Sequence, residues 1–307
     1  MRSFGPADGA DGADGADGAD GADGANASRL GIEKPSLIRP IGVSPALAKL
    51  ANENWFRGNR WPPADLAAPF ANTAAVRFPP NAWSAFHLSI VVLSEFVRVP
   101  GWDQFNLQAA EPIPAGAALQ AELNELHELV DYRPGVMSEA LAQRDNISVY
   151  WAGLLMYNKS SHPATYLLTQ IALRVGQFQA MHYKFNPGGG LQPRPRPSQL
   201  SPSLMPPIDI PGHASYPSGH ATESYLLAGI LARVMPVAAS TETTIGDRDS
   251  TPLRRLAERV ARNREVLGLH YPSDSRAGKF LGDQSLTLLL NCPTVLPLII
   301  AANAEWQ

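Results

Sequence analysis

The sequence predicts an all-α protein, a bundle of helices closed around one apolar core. Apolar side chains recur at three- and four-residue steps in successive segments from Ala82 to Leu290, the spacing of one helix face. Prolines and glycines interrupt these segments at points where helices begin and end. No strand-rich segment stands out between them.

Length and composition bound the rest. A chain of 307 residues with 45% apolar and 17% charged residues can bury a sizeable core. The triplet Asp-Gly-Ala occurs six times from Asp8 to Ala25, and those six aspartates carry the formal charge of −3. Without them 22 acidic residues face 25 basic ones, with no dense basic stripe, so nucleic acid is not an expected partner. Cys292 is the only cysteine, which excludes an intrachain disulfide framework and any cysteine-rich metal site. Met1–Pro6 lacks a basic segment followed by an apolar one, so no secretion signal is read. The longest apolar run, Leu286 to Ile300, is broken by Asn291, Cys292, Pro293 and Pro297 and reads as packing surface, not as a membrane span. No membrane partner is expected, and the expected compartment is the cytoplasm.

Residues 1–28 are rich in Gly, Ala and Asp and read as a disordered tail, because they bury too little area to offset their ordering entropy. Residues 29–307 read as a single helical catalytic domain. Its first part, to Pro80, is short helices and coil broken by prolines, and Trp55, Phe56 and Trp61 there are compatible with a homodimer. Ala82 to Val99 is apolar enough for a buried helix, although its β-branched residues leave a strand open; Pro100 and Gly101 end it. Ala115 to Val130 carries Leu119, Leu123, Leu126 and Val130 on one face, and the stretch Asp131 to Gly135 stops it. Val136 to Tyr157 holds one or two more helices before the break at His162-Pro163.

Ala164 to Lys184 places Leu167, Ile171, Arg174, Phe178 and Met181 at helical spacing, so Lys184 emerges beside the inward stripe. Phe185 to Pro211 is loop, with three consecutive glycines followed by seven prolines. Ser218 then reads as the cap of a helix running from His220 to Pro236. Leu253 to Leu267 is a helix with Thr251 as cap and Pro252 in its first turn. Ala277 to Leu290 is the next, and Pro272 leaves the stretch before it irregular.

Several residues in this frame can carry chemistry. The start of the helix at Ser218-Gly219-His220 gathers backbone N–H groups and the positive end of the helix dipole, a seat for an oxyanion. Arg264 falls on the inward face of its helix with Val260 and Leu267, and a buried arginine needs a partner. That partner is either a core carboxylate such as Asp274 or a bound oxyanion. Asp274 lies four residues after His270 and can accept its Nδ1 proton, leaving Nε2 to face the site. His213, seven residues before His220, is either a loop histidine bonded to backbone or a second group that tunes the site. Lys184, Arg194 and Arg196 add positive charge. A conventional divalent-cation site is disfavoured, because too few carboxylates accompany the histidines.

These residues resemble three signatures of one superfamily. Arg264, His270 and Asp274, with their spacing, resemble the third signature of the group joining type 2 phosphatidate phosphatases, bacterial acid phosphatases and vanadium-dependent haloperoxidases. Pro217-Ser218-Gly219-His220 is similar to its second, and Lys184 with Arg196-Pro197 to its first. The resemblance covers about residues 164–290. Eleven residues separate Lys184 from Arg196 and nine separate it from Arg194, more than in the family, so the choice between the two arginines stays open, with Arg196 favoured.

The resemblance implies a helical bundle of the phosphatidate phosphatase/haloperoxidase kind. It also implies that Lys184, Arg196 and Arg264, with Ser218 and Gly219, grip the oxygens of vanadate or phosphate. His270 becomes the ligand of vanadium or the phosphoryl acceptor, His220 the acid/base, and Asp274 the group that orients His270. His213 matches the bromoperoxidases of the group. The expected function is therefore a vanadate-dependent haloperoxidase that oxidises halide, bromide above all, with hydrogen peroxide. The alternative is a soluble phosphomonoesterase that acts on phosphate esters through a phosphohistidine.

Overall fold

The computed structural model describes residues 83–244 and 246–307. The expected tail at 1–28 and the proline-broken stretch at 29–80 lie outside the described residues. Among the described residues there is no strand, and the chain folds as a bundle of α-helices. Nine of these helices have nine residues or more: α1 Ala85–Phe96, α2 Gly116–Glu128, α3 Arg133–Asp145, α4 Ile147–Leu155, α5 Pro163–Phe185, α6 Gly219–Leu231, α7 Pro252–Val266, α8 Pro272–Leu289 and α9 Val295–Glu305.

Local chemistry sets most of the helix starts. Ser84, Asn146, Ser218 and Thr251 cap α1, α4, α6 and α7, each with a side-chain oxygen accepting a backbone N–H of the first turn. Proline occupies the first position of α5, α7 and α8, where its missing N–H costs nothing. Pro272 therefore starts a regular helix, and the irregular stretch expected around it is absent. The start of α5 is also held by α9: Glu305 accepts from Ala164 N at 2.6 Å and from Thr165 N at 2.9 Å, a carboxylate at the positive end of a helix. Within the stretch where a strand was open, Ala85–Phe96 is helical, because Ala85, Leu88, Val92 and Phe96 form one buried face at three- and four-residue steps.

Helix α6 is the centre of the bundle and packs on α5, α7 and α8. Small residues let the backbones close on it. A Cβ placed on Gly176 of α5 would lie 2.8 Å from Glu223 Cα. One on Gly278 of α8 would lie 2.6 Å from Ser218 O, and one on Gly282 would lie 2.7 Å from Thr222 O. Around this axis Leu168, Ile171, Leu226, Leu227, Ile230, Ala257 and Val260 form the main core with Val92 and Trp151. Cys292 is buried in the same core. No described helix is long and apolar enough to cross a membrane.

The loop between α5 and α6 is more ordered than its prolines suggest. It holds single turns at Pro197–Leu200 and Pro202–Leu204. Arg133, in the segment read only as the end of a helix, ties this loop down. Its Nη2 and Nη1 donate to Leu204 O at 2.8 Å and Met205 O at 2.9 Å, and its Nε donates to Val266 O at 3.0 Å. The last carbonyl of α7 is thus capped by a cation, and the loop that carries Arg194 and Arg196 is fixed to the bundle.

Candidate functional site

Four short segments meet where α7 turns into α8. They are the end of α5 with Lys184, the loop with Arg194 and Arg196, the strip His213–Ser218 that enters α6, and the turn from Arg264 to Asp274. The turn itself depends on Gly268, at φ +73°, a conformation that side chains other than glycine rarely adopt. Leu269 N then closes back on Arg264 O at 3.0 Å, ending α7 and delivering His270 to the site. Pro272 restarts the helix, and Asp274 falls in its first turn, four residues after His270 and facing it.

Asp274 has no exposed surface, and both of its oxygens are used. Oδ1 accepts from Arg194 Nη1 at 2.7 Å. Oδ2 accepts from Ser215 Oγ at 2.5 Å and Tyr271 N at 3.0 Å, and lies 3.1 Å from His270 Nδ1. Burial pushes the carboxyl up, but the His270 hydrogen bond and the Arg194 charge outweigh it and hold Asp274 below the ordinary carboxylate range. It is an anion at neutral pH.

His270 is held from both ends. Nδ1 faces the Asp274 carboxylate, and Nε2 faces Arg196 Nη1 at 3.0 Å. Burial and then the Arg196 charge drive its pKa well below the usual imidazole value, against the pull of Asp274, and the Lys184 charge adds to the push. The ring is therefore neutral, and its tautomer follows from its neighbours. An ionised carboxylate only accepts, so Nδ1 carries the proton; a guanidinium only donates, so Nε2 presents its lone pair. A neutral imidazole with a lone pair fixed toward a cationic wall can accept a proton or attack an electrophile.

The cationic wall consists of Arg196 and Lys184. Arg196 Nε donates to His213 O at 3.1 Å, Nη1 to Leu269 O at 2.9 Å, and Nη2 faces His213 Nδ1 at 3.0 Å. Lys184 Nζ donates to Ala214 O at 2.7 Å and Ser215 O at 3.1 Å. Of the two arginines left open by the sequence, Arg196 stands against His270, while Arg194 stands behind Asp274.

The remaining candidates occupy other places. His220 is in the first turn of α6, and Gly219 is its first residue, whose amide has no intrahelical acceptor. The Ser218 amide, expected for the oxyanion, donates instead to Asp274 O at 2.9 Å, and its hydroxyl accepts from Ala221 N. Arg264 is buried, as its inward position implied, and its Nη2 donates to Ala140 O at 2.6 Å and Gln143 Oε1 at 3.2 Å on α3. These contacts arise because α3 covers that face of α7.

Two residues in the network escaped sequence reasoning. Glu122 of α2 is buried, and it accepts from Arg194 Nη2 at 3.1 Å and from Ser273 N at 2.8 Å. Its position three after Leu119 and four before Leu126, on the inward stripe of α2, was the available signal. Ser215 sits between His213 and His220 and gave no signal beyond its type.

The expected metal chemistry is corrected by these surroundings. Among the described residues no group of three or more His, Cys, Asp or Glu side chains is placed to hold a metal ion. The nearest carboxylate to His270 is bound to Nδ1, and Nε2 faces a guanidinium in place of further metal ligands. His270 as a vanadium ligand, vanadate as the cofactor and the haloperoxidase activity all fall with that finding, and so does the link from His213 to bromide. No protein-family model matches the chain, and no curated protein matches it.

Proposed function

We propose that the site around His270 binds the phosphate group of a small phosphate ester, without a metal ion. The observation that carries this reading is the fixed neutral His270, with Nδ1 on Asp274 and Nε2 at 3.0 Å from Arg196. A tetrahedral oxyanion entering between Nε2 and the guanidinium would meet donors from Arg196. Arginine suits this task because its planar fork matches two oxygens of a phosphate. Lys184 adds a point charge whose field already reaches His270. The three sequence motifs support placing the bundle with the type 2 phosphatidate phosphatase superfamily, and a phosphate group is the ligand that such a placement favours.

Titration of the full chain with inorganic phosphate and with an aryl phosphate, followed by calorimetry and 31P NMR, tests the reading. Binding is expected at or below about 1 mM, with about a tenfold loss in Arg196→Met, the value of one charge-assisted contact. Absence of binding by the folded wild-type chain, or equal binding by Arg196→Met, overturns it.

A further inference from the structure

Asp274 is gripped from behind by a pair of charged residues that do not face His270. The Arg194 side chain is 4% exposed and bridges two carboxylates, with Nη1 on Asp274 Oδ1 at 2.7 Å and Nη2 on Glu122 Oε2 at 3.1 Å. Its guanidinium carbon lies 3.5 Å from the centre of the Tyr271 ring, so it is held by stacking as well. Glu122 is tied in turn to the first turn of α8, through Ser273 N and Ser273 Oγ, both at 2.8 Å. Arg194 Nη1 meets the same hydroxyl at 2.7 Å. Arg194, Glu122 and Ser273 therefore form a closed ring of hydrogen bonds that holds Asp274 by Oδ1, while Oδ2 is left to His270, Ser215 and Tyr271 N.

This ring does something that a single Asp–His contact does not. With Oδ1 engaged by Arg194, the carboxylate cannot rotate, and Oδ2 stays in line with Nδ1. After the His270 hydrogen bond, the Arg194 charge also opposes the push of burial toward the protonated carboxyl. A protonated Asp274 could donate to Nδ1, which would shift the ring proton to Nε2 and turn the lone pair away from Arg196. Arg194 itself needs Glu122, since one guanidinium placed against one carboxylate leaves half of its fork unused.

We infer that Glu122 and Arg194 are positioning residues for His270: together they clamp Asp274 so that the ring keeps its proton on Nδ1 and its lone pair on Nε2. The inference builds on the reading of His270 as the group that faces the phosphate, but its first measurement needs no ligand.

The test is 15N NMR of the histidine rings in the full chain, with His270 assigned by loss of its signals in His270→Gln. The wild-type ring is expected to show a pyrrole-like Nδ1 and a pyridine-like Nε2. The double variant Glu122→Gln/Arg194→Gln removes one charge of each sign, so it leaves the net charge of the ring unchanged and is the variant best able to fold. It is expected to lose the pyridine-like Nε2 signal and to bind inorganic phosphate about tenfold more weakly, the loss of one charge-assisted hydrogen bond. Glu122→Gln alone should move the same signals part of the way. A folded double variant with wild-type ring signals overturns the inference. Should the double variant not fold, Glu122→Gln decides: unchanged ring signals overturn it, and a shifted Nε2 supports it. If wild-type protein binds no phosphate but the variants still shift the ring signals, the positioning role stands and the phosphate reading falls.

Discussion

Gly278→Ala is a direct test of how closely α8 lies on α6 beside the site. An ideal Cβ at Gly278 falls 2.6 Å from Ser218 O and 3.1 Å from Thr222 N, both backbone atoms, and 2.7 Å from Ala221 Cβ. Ordinary contact begins near 3.4 Å, so the carbonyl at 2.6 Å would have to retreat by about 0.8 Å. Overpacking of this kind costs about 1–3 kcal/mol, and rigid backbone on the far side argues for the upper end. Alanine regains about 1 kcal/mol of helix propensity. The net expectation is a loss of about 2 kcal/mol. Gly229→Ala on α6 is the control. Its Cβ would also come too close, at 2.5 Å, but to Leu286 Cδ2, the tip of a side chain that can turn aside. That variant should keep wild-type stability or gain up to about 1 kcal/mol. Urea denaturation, compared at equal m-values, reads both. A Gly278→Ala midpoint equal to wild type, or equal losses in the two variants, would refute the reasoning that backbone contact sets the α6–α8 distance.

Further outcomes follow from the same contacts. Asp274→Asn should destabilise the fold by about 3–5 kcal/mol, because Arg194 and the His270 ring lose a buried partner; a thermal or urea midpoint near wild type would contradict it. Arg133→Met should loosen the 201–205 turn from α7 and cost about 3 kcal/mol through three lost carbonyl contacts, seen as faster proteolysis at that turn. The unfolded His270 ring takes a proton near pH 6.5 and the folded ring resists it, so folding stability should fall as pH drops below 6.5, by about 1.4 kcal/mol per pH unit. In His270→Gln that slope should flatten between pH 6.5 and 5. Asp274 works in the same direction at lower pH, since its carboxyl resists the proton that the unfolded chain takes near 3.8. Glu265, whose pKa burial raises above 4.5, opposes it there.

What the sequence could reveal depended on how local each determinant was. The starts of α5, α6 and α7 were legible because a proline or a capping hydroxyl acts within one turn of itself. The inward position of Arg264 was legible for the same reason: Val260 and Leu267 define the buried stripe of its own helix. Its partner was not, since Ala140 and Gln143 lie more than a hundred residues upstream and nothing in α7 names them. The His270–Asp274 pair was legible from its four-residue spacing, although Pro272 argued against helix there when it in fact starts one.

The division between Arg194 and Arg196 shows where reading by motif stops. Both arginines precede prolines in one loop, and their sequence neighbourhoods are nearly alike. They are separated only by what the fold brings to them: α2 delivers Glu122 to Arg194, and the α7–α8 turn delivers His270 to Arg196. One becomes the counter-ion behind a carboxylate and the other the donor before a lone pair. The metal centre failed on the same ground. A histidine with an acidic residue four positions on gives no count of the ligands around it, and the fold surrounds His270 with guanidinium and carbonyl groups in place of a third donor. The site's character, a neutral imidazole between an anion and a cation, is set by residues from α2, the proline loop and α8 together. It is in that three-way meeting, and not in any one motif, that the surroundings of His270 are decided.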